Sequence, residues 1–322
     1  MGTEKSRALL KRHSDRMSLP LIAAPMFLVS GPDMVQAARR EGVIGSFPFP
    51  NARTTDVLED WLRQVCSQGE GNLTAPFAAN MVTHSSYDRL GAELDLLAAY
   101  KPEIVITALG GPRPILDTVH SYGGLVFADV NSVAFARKAA DAGADGLVLV
   151  SSGAGGHTGD MSAFAFVSAV REFFDGVVVL AGGISTGRAV RAAEVLGADL
   201  AYMGTSLIAA EESLASSEYK SMVVGSVFED LVLSNALTGA NAYYLRKSLE
   251  NAGIDPASLK GKGKPDFTNS QRSIKAWRDV WSAGHGVGAV KSVRAMSDII
   301  SDVRNGYLAA AREESAFLKN AG

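Results

Sequence analysis

Eight apolar runs of strand length, mostly separated by helical stretches, set the tightest limit on how this chain can fold. The runs are LPLIAAPM (19–26), GVIGSFP (42–48), APFAANM (75–81), IVITAL (104–109), GLVFADV (124–130), GLVLVSS (146–152), GVVVLAGG (176–183) and LAYMGTSLI (200–208). Between them lie GPDMVQAARREG (31–42), SVAFARKAADAGA (132–144) and STGRAVRAAEVLGA (185–198). In the last, Val190, Ala193 and Val195–Leu196 share one helical stripe and Arg188, Arg191 and Glu194 lie off it. The phrases EGVIG, AGADG and LGADL have one form: a helix ends, glycine supplies the left-handed cap, and a buried strand begins. Eight such units are the count of a (β/α)8 TIM barrel, an α/β fold whose strands are covered on both faces. A doubly wound open sheet is the alternative. The barrel is favoured because Asn80, Asp129, Ser152, Gly182, Gly183, Gly204 and Thr205 all stand at or just after a strand's carboxyl end. In a barrel those ends converge on one mouth.

The alternation stops near residue 210. ESLASSEYKSMVVGS and VFEDLVLSNALTG read as helix or loop, LRKSLENAG as a helix, and DPASLKGKGKPDFTNS as an exposed connection. We expect residues 14–210 and 285–315 to build the barrel, with a terminal helix near 291–312. Residues 211–284 are expected to form a helical insertion that caps the mouth.

Charge and cysteine content narrow the class. A formal charge of −3 with no charged block gives no footprint for nucleic acid. The single cysteine, Cys66, excludes an intrachain disulfide and a multi-cysteine metal site, fits a reducing cytoplasm, and reads as packing after Trp61. MGTEKSRALLKRHSDR is basic but lacks an apolar core, so it does not read as a secretory signal. No apolar run approaches the roughly 18 residues of a membrane span. The expectation is a cytoplasmic enzyme of small molecules without a membrane partner, and a homodimer is compatible with it.

Chemistry concentrates in three glycine-rich turns. VVVLAGGISTGRA places Gly182 and Gly183 before a helix expected to begin near Ser185, where backbone N–H groups can receive a phosphate. YMGTSLI repeats the arrangement with Gly204 and the Thr205 or Ser206 hydroxyl, and the two together match a barrel phosphate grip. Ordinary βα turns are the plainer reading of either alone. Neither is a Rossmann fingerprint or a P-loop. The third, SSGAGGHTG (151–159), has four glycines that let a flat ligand lie against the backbone near Gly155 and Gly156, with His157 at its edge. A histidine there can take a proton at neutral pH, and a solvated loop histidine is the bland alternative.

Of the other histidines, His13 and His120 read as structural or exposed, whereas His84 and His285 are within reach of the mouth. HxH and HExxH spacings are absent, so no metal site is expected. Ala24, Pro25 and Met26 close the first strand, and Met26 can abut an aromatic cofactor or pack in the core. Asn80 is a polar amide ending an apolar strand, unusual unless its amide is used. Asp129 has three open roles: anchoring a histidine, bonding a ribityl-type hydroxyl, or capping the helix that starts at Ser132.

With LPLIAAPM, PFAANM, AGADGLVLVSSGAGGHTG, VVVLAGGISTGRAV, LGADLAYMGTSLIA and WSAGHGVG in place, residues 18–290 resemble the nitronate monooxygenase (2-nitropropane dioxygenase-like) family. They also resemble its cousin, the flavin-dependent enoyl-acyl-carrier-protein reductases. The resemblance implies a TIM barrel that holds FMN noncovalently under a helical cover. It implies that Met26 and Asn80 contact the flavin, Gly155 and Gly156 line it, and Gly182, Gly183, Gly204 and Thr205 bind its phosphate. His157 matches the base for the acidic proton of a nitroalkane, with dioxygen as the final acceptor. Departures concern the substrate: Ala128 and Asp129 stand where many relatives carry lysine, Gly153 where an acidic residue is common, and MVTHSSYDR replaces the usual segment after Asn80. Open alternatives are an NAD(P)H-dependent quinone or enoyl-thioester reductase, a non-catalytic flavin-binding barrel, and a phosphosugar isomerase or aldolase.

Overall fold

The computed structural model describes residues 8, 11, 13–66, 74–259 and 277–321. The start of the basic N-terminal arm and most of the lysine-rich connection expected after 255 lie outside them. Eleven strands run through the described residues: β1 (Leu21–Ala23), β2 (Gly45–Pro48), β3 (Phe77–Val82), β4 (Ile104–Ala108), β5 (Leu125–Val130), β6 (Gly146–Val150), β7 (Gly156–His157), β8 (Val177–Ala181), β9 (Leu200–Met203), β10 (Leu231–Ser234) and β11 (Ala242–Leu245). Eight form a parallel sheet in the order β1-β9-β8-β6-β5-β4-β3-β2. A parallel bridge between Ile22 and Ile44 joins the two ends, with Ala23 N donating to Ile44 O at 2.8 Å and Ile44 N to Leu21 O at 3.0 Å. The sheet is a closed (β/α)8 barrel, so the open doubly wound alternative falls.

Successive side chains on a strand alternate between faces, and the barrel sorts them accordingly. Ile22, Ile44, Ala78, Ile104, Ile106, Leu125, Phe127, Val148, Val177, Val179, Ala181 and Leu200 pack into one lumen cluster. The intervening residues, such as Leu147, Leu149, Val178, Leu180 and Ala201, pack outward against Phe166, Val170, Val190 and Ile300 of the helices. Each such buried side chain contributes roughly 1.5–3 kcal/mol. Because both faces are buried, the strands read as continuous apolar runs.

The recurring Gly-Ala-Asp phrase has a physical explanation at the barrel's closed end. Asp145 Oδ2 accepts Val126 N at 2.8 Å and His120 Nε2 at 2.7 Å. Asp199 Oδ2 accepts Val178 N at 2.8 Å and Arg171 Nη2 at 2.6 Å. Each aspartate therefore clamps the start of the preceding barrel strand, far from the mouth, which assigns the repeat to stability.

Element ends moved where polar turns outcompeted apolar sequence. The run 19–26 yields only three strand residues, and 24–30 turn back as a loop with Leu28 at φ +62°. Strand 200–208 stops at Met203 and gives way to a one-turn helix, Thr205–Ile208. The helix expected from Ser185 starts at Gly187, with the Thr186 hydroxyl accepting Ala189 N at 3.2 Å. The terminal helix runs Met296–Ala321, and it packs so closely on the Gly187 helix that a side-chain carbon at Gly187 would lie 1.9 Å from Val303 O.

Residues 211–284, expected to be helical, hold helices Ser217–Val224 and Arg246–Asn251 together with the β10–β11 hairpin. The hairpin continues into the glycine-rich loop, because β11 pairs antiparallel with β7 through Ala242 opposite His157 and Tyr243 opposite Gly156. Among the described residues, no helix is long and apolar enough to cross a membrane.

Candidate functional site

The loop after β6 is tied down by side-chain hydroxyls bonded to backbone carbonyls. Thr158 Oγ1 donates to Ser151 O at 3.2 Å, closing the loop at its base, and Ser151 Oγ donates to Ala181 O at 2.6 Å on the next strand. Gly182 sits at φ +122°, where an added side-chain carbon would meet that Ser151 Oγ at 2.3 Å. Only glycine fits there, for both reasons.

The three glycine turns come together, and the 282–286 segment stitches them. His285 N donates to Gly153 O at 2.9 Å, Gly284 N to Thr205 Oγ1 at 2.9 Å, and Gly156 N to Ser282 Oγ at 2.7 Å. A side-chain carbon at Gly155 would lie 2.9 Å from Gly284 N and 3.3 Å from Thr205 Oγ1; one at Gly183 would lie 3.9 Å from His285 Cβ. On the other side, a carbon at Gly204 would stand 3.4 Å from Met26 Sδ and 3.6 Å from Ala24 Cβ. The structure thus gathers Ala24, Met26, Gly153, Gly155, Gly156, Gly183, Gly204, Thr205 and His285 around one end of the barrel.

His157 is carried on β7 against the inserted hairpin. Its Nε2 lies 3.1 Å from Thr238 Oγ1, whose own hydroxyl donates to Ala240 O at 3.1 Å. A hydroxyl has one proton, so with that proton on Ala240 the Thr238 oxygen accepts from His157 Nε2–H. In that arrangement the neutral ring carries its proton on Nε2. Trp277 meets the ring edge-on at 5.4 Å. Burial lowers the imidazole pKa below its ordinary 6.5, so the ring is neutral at pH 7.

His285 is enclosed by Phe228 at 4.8 Å and Tyr243 at 4.7 Å, both edge-on, and burial lowers its pKa too. Its Nε2, and the Ser185 hydroxyl beside Gly286, are buried without a hydrogen-bond partner among the described residues. Asn80 is buried, its Nδ2 donating to Ile106 O at 3.2 Å. Ser152 N donates to Met161 O at 2.7 Å. Asp129 does not cap the following helix, because Ser132 does so through Phe135 N at 3.3 Å. Its Oδ1 is buried and has no hydrogen-bond partner among the described residues, and burial pushes the carboxyl up to about 7.

His84 stands apart: it is exposed, with Nδ1 2.7 Å from Ser86 Oγ. Among the described residues no hydrogen bond or ring contact joins it to the cluster. His13 meets Arg16, and His120 meets Asp145 at 2.7 Å.

Several neighbours escaped the sequence reading. Asn51 pins the 26–30 loop, accepting Leu28 N at 2.9 Å and donating to Met26 O at 3.0 Å and Ser30 O at 2.8 Å. Thr238, Ser282, Tyr219, Phe228 and Tyr243 belong to a stretch with no regular period, which hid them. Tyr202 left a readable trace, being a hydroxyl at a lumen-parity position of an apolar strand.

A closed (β/α)8 barrel with glycine turns and a half-buried histidine at one end defines a class of small-molecule enzyme scaffolds. The family follows from comparison: the profile of the nitronate monooxygenase family matches residues 84–263, more than half of the chain, and the chain belongs to that oxidoreductase family. A nitronate monooxygenase of Neurospora crassa is 31% identical, covering 61% of this chain and 57% of that protein. One from Paraburkholderia phytofirmans is 25% identical, covering 80% and 81%. The solved structure of FabK from Thermotoga maritima shares the fold with a TM-score of 0.76 at 21% identity, over 97% of this chain and 98% of that one. The chain spans about half the length of curated relatives it matches, 46% and 57% for two of them.

Proposed function

We propose that this protein holds FMN noncovalently at the barrel mouth and oxidises alkyl nitronates or nitroalkanes with dioxygen. The observation that carries the reading is the meeting of the 153–157, 182–183 and 204–205 turns beside a half-buried, neutral histidine. A planar phosphorylated ring system needs backbone approach on one side and N–H or hydroxyl donors at its phosphate end, and these turns offer both. The orphaned polar atoms of Asp129, Ser185, Tyr202 and His285 also fit a group with several hydrogen-bonding edges.

In this reading Ala24, Pro25, Met26 and Asn80 abut the ring, and Ser152, Gly155 and Gly156 line it. Gly182, Gly183, Gly204 and Thr205 receive the phosphate. His157 takes the α-proton of a neutral nitroalkane at Nδ1 while Thr238 continues to accept Nε2–H. His285, walled by Phe228 and Tyr243, borders the substrate space; His84 has only its place on the rim to recommend it. Bound FMN supplies the two-electron acceptor and the reaction with dioxygen. The chain's own task is to orient, to exclude water and to hold that proton.

The test begins with the absorption spectrum of the purified protein, followed by anaerobic mixing with propyl-3-nitronate, nitropropane, NADH or NADPH. Bleaching near 450 nm by the nitro compounds is the expected result. Bleaching by NAD(P)H alone transfers the protein to the quinone or enoyl-thioester reductases. Bound flavin that no donor bleaches leaves a non-catalytic carrier, and a protein that never takes up FMN overturns the proposal.

A further inference from the structure

Strand alternation places Asp129 and Tyr202 on the lumen side of the barrel. Leu125 and Phe127 belong to the lumen cluster, so Asp129 on the same strand shares their face; Leu200 and Tyr202 do likewise. Asp129 Oδ1 and Tyr202 Oη are both buried and, among the described residues, both without a hydrogen-bond partner. Leaving one such group unpaired costs roughly 1–3 kcal/mol, and two in one lumen mark a site that a ligand completes.

The surroundings say in which form the carboxyl is held. The lumen faces of the flanking strands β4 and β6 carry Ile104, Ile106 and Val148 from the apolar cluster, followed by Ala108 and Val150 at the same parity. Across the lumen, Tyr202 feels the Asp129 charge and is pushed well above its ordinary range, chiefly by burial and then by that charge. Outside the barrel, Arg113, Asp117 and His120 of one covering helix and Arg137, Lys138 and Asp141 of the next are all exposed, on the opposite side of the strand. The loop after β6 contributes His157, which is neutral. No cation faces Asp129 from these elements to hold it ionised.

We propose that Asp129 acts in its acid form, donating a hydrogen bond, with Tyr202 doing so from across the lumen, to a carbonyl or hydroxyl of the bound flavin. This rests on the flavin reading above and adds a proton-bearing contact to it. The ligand class is a neutral heterocycle or polyol edge with acceptor atoms. An anion would meet repulsion once the carboxyl ionises.

The test is flavin binding, read by fluorescence quenching on the full chain freed of cofactor, from pH 6 to 8.5, for wild type, Asp129→Asn and Tyr202→Phe. Riboflavin runs in parallel, because the FMN phosphate itself ionises near pH ~6. If only the acid form binds and the free carboxyl titrates at about 7, wild-type affinity falls about thirtyfold across that range. Asp129→Asn, which keeps a donor that cannot ionise, binds with a flat profile, and Tyr202→Phe weakens binding severalfold at the acid end. An affinity that rises with pH, or a fall of the same size in Asp129→Asn, overturns the assignment while leaving the flavin reading intact. No uptake of either flavin by any variant at any pH removes both.

Discussion

His157 Nε2 and Thr238 Oγ1 lie 3.1 Å apart, although 81 residues separate them in the chain. One belongs to a barrel loop and the other to the inserted segment, and the pairing of β7 with β11 brings them together. The insertion thereby supplies the hydroxyl that meets the histidine's Nε2.

Replacing Thr238 with valine keeps the volume and removes the acceptor. Losing one net hydrogen bond of about 1 kcal/mol lowers nitroalkane turnover by roughly fivefold. It also lets the Nδ1–H tautomer appear in the imidazole nitrogen NMR signals of His157. Thr238→Ser restores both. Unchanged signals in the valine variant would remove the tautomer argument.

His157→Ala separates two substrates by their chemistry. A neutral nitroalkane needs its α-proton taken, so its turnover drops by roughly 10²–10⁴. A nitronate arrives already deprotonated and loses much less. If the proposed activity holds, the wild-type nitroalkane rate is expected to rise with pH below 6.5 and to be level at pH 7–8, because burial depresses the folded pKa. The stability sign follows from the same shift. Below 6.5 the unfolded chain binds the proton before the folded one does, so stability falls as pH drops through 6.5 toward the folded value. Equal losses on nitroalkane and nitronate would point to a structural defect.

Gly182→Ala brings a side chain to φ +122° and into Ser151 Oγ. The conformational penalty alone is roughly 1–2 kcal/mol, enough to lower Tm by a few degrees. The flavin-to-protein ratio is expected to fall as well. An alanine variant that purifies with full cofactor and unchanged Tm would contradict the placement of this turn.

Asp129→Asn has a stability signature independent of any ligand. The folded carboxyl is raised to about 7 from 3.8, so between those values the native state keeps a proton that the unfolded chain has released. Stability therefore falls as pH rises through that window. Asparagine removes the fall, and the cofactor-free variant is expected to exceed wild type at pH 8 by up to about 4 kcal/mol, with the gap closing near pH 4. Denaturant titrations at the two pH values decide it, and a gap that does not change with pH would sink the claim.

How much of this was legible beforehand follows from the range of the interactions involved. Apolar runs, glycine caps and helical stripes are local, so the eight βα units and the barrel could be read directly. The Gly-Ala-Asp repeat announced itself too, although its meaning came only when Asp145 and Asp199 were seen to clamp Val126 and Val178. Strand ends slipped where a side chain distant in sequence decided them, as Asn51 does for the loop after Ala23. The hairpin within the insertion was not legible because it has no period of its own: β10 and β11 gain their order from β7 and from residues 280–285.

Local chemistry thus determined the number of units, the glycine turns and the presence of His157 among them, since each needs only neighbours within a few positions. Which hydroxyl meets His157, which histidine reaches the cluster and which does not, and that Asp129 and Tyr202 share an apolar lumen were decided by tertiary structure. Those facts depend on barrel closure and strand parity, which bring together groups that no sequence window contains.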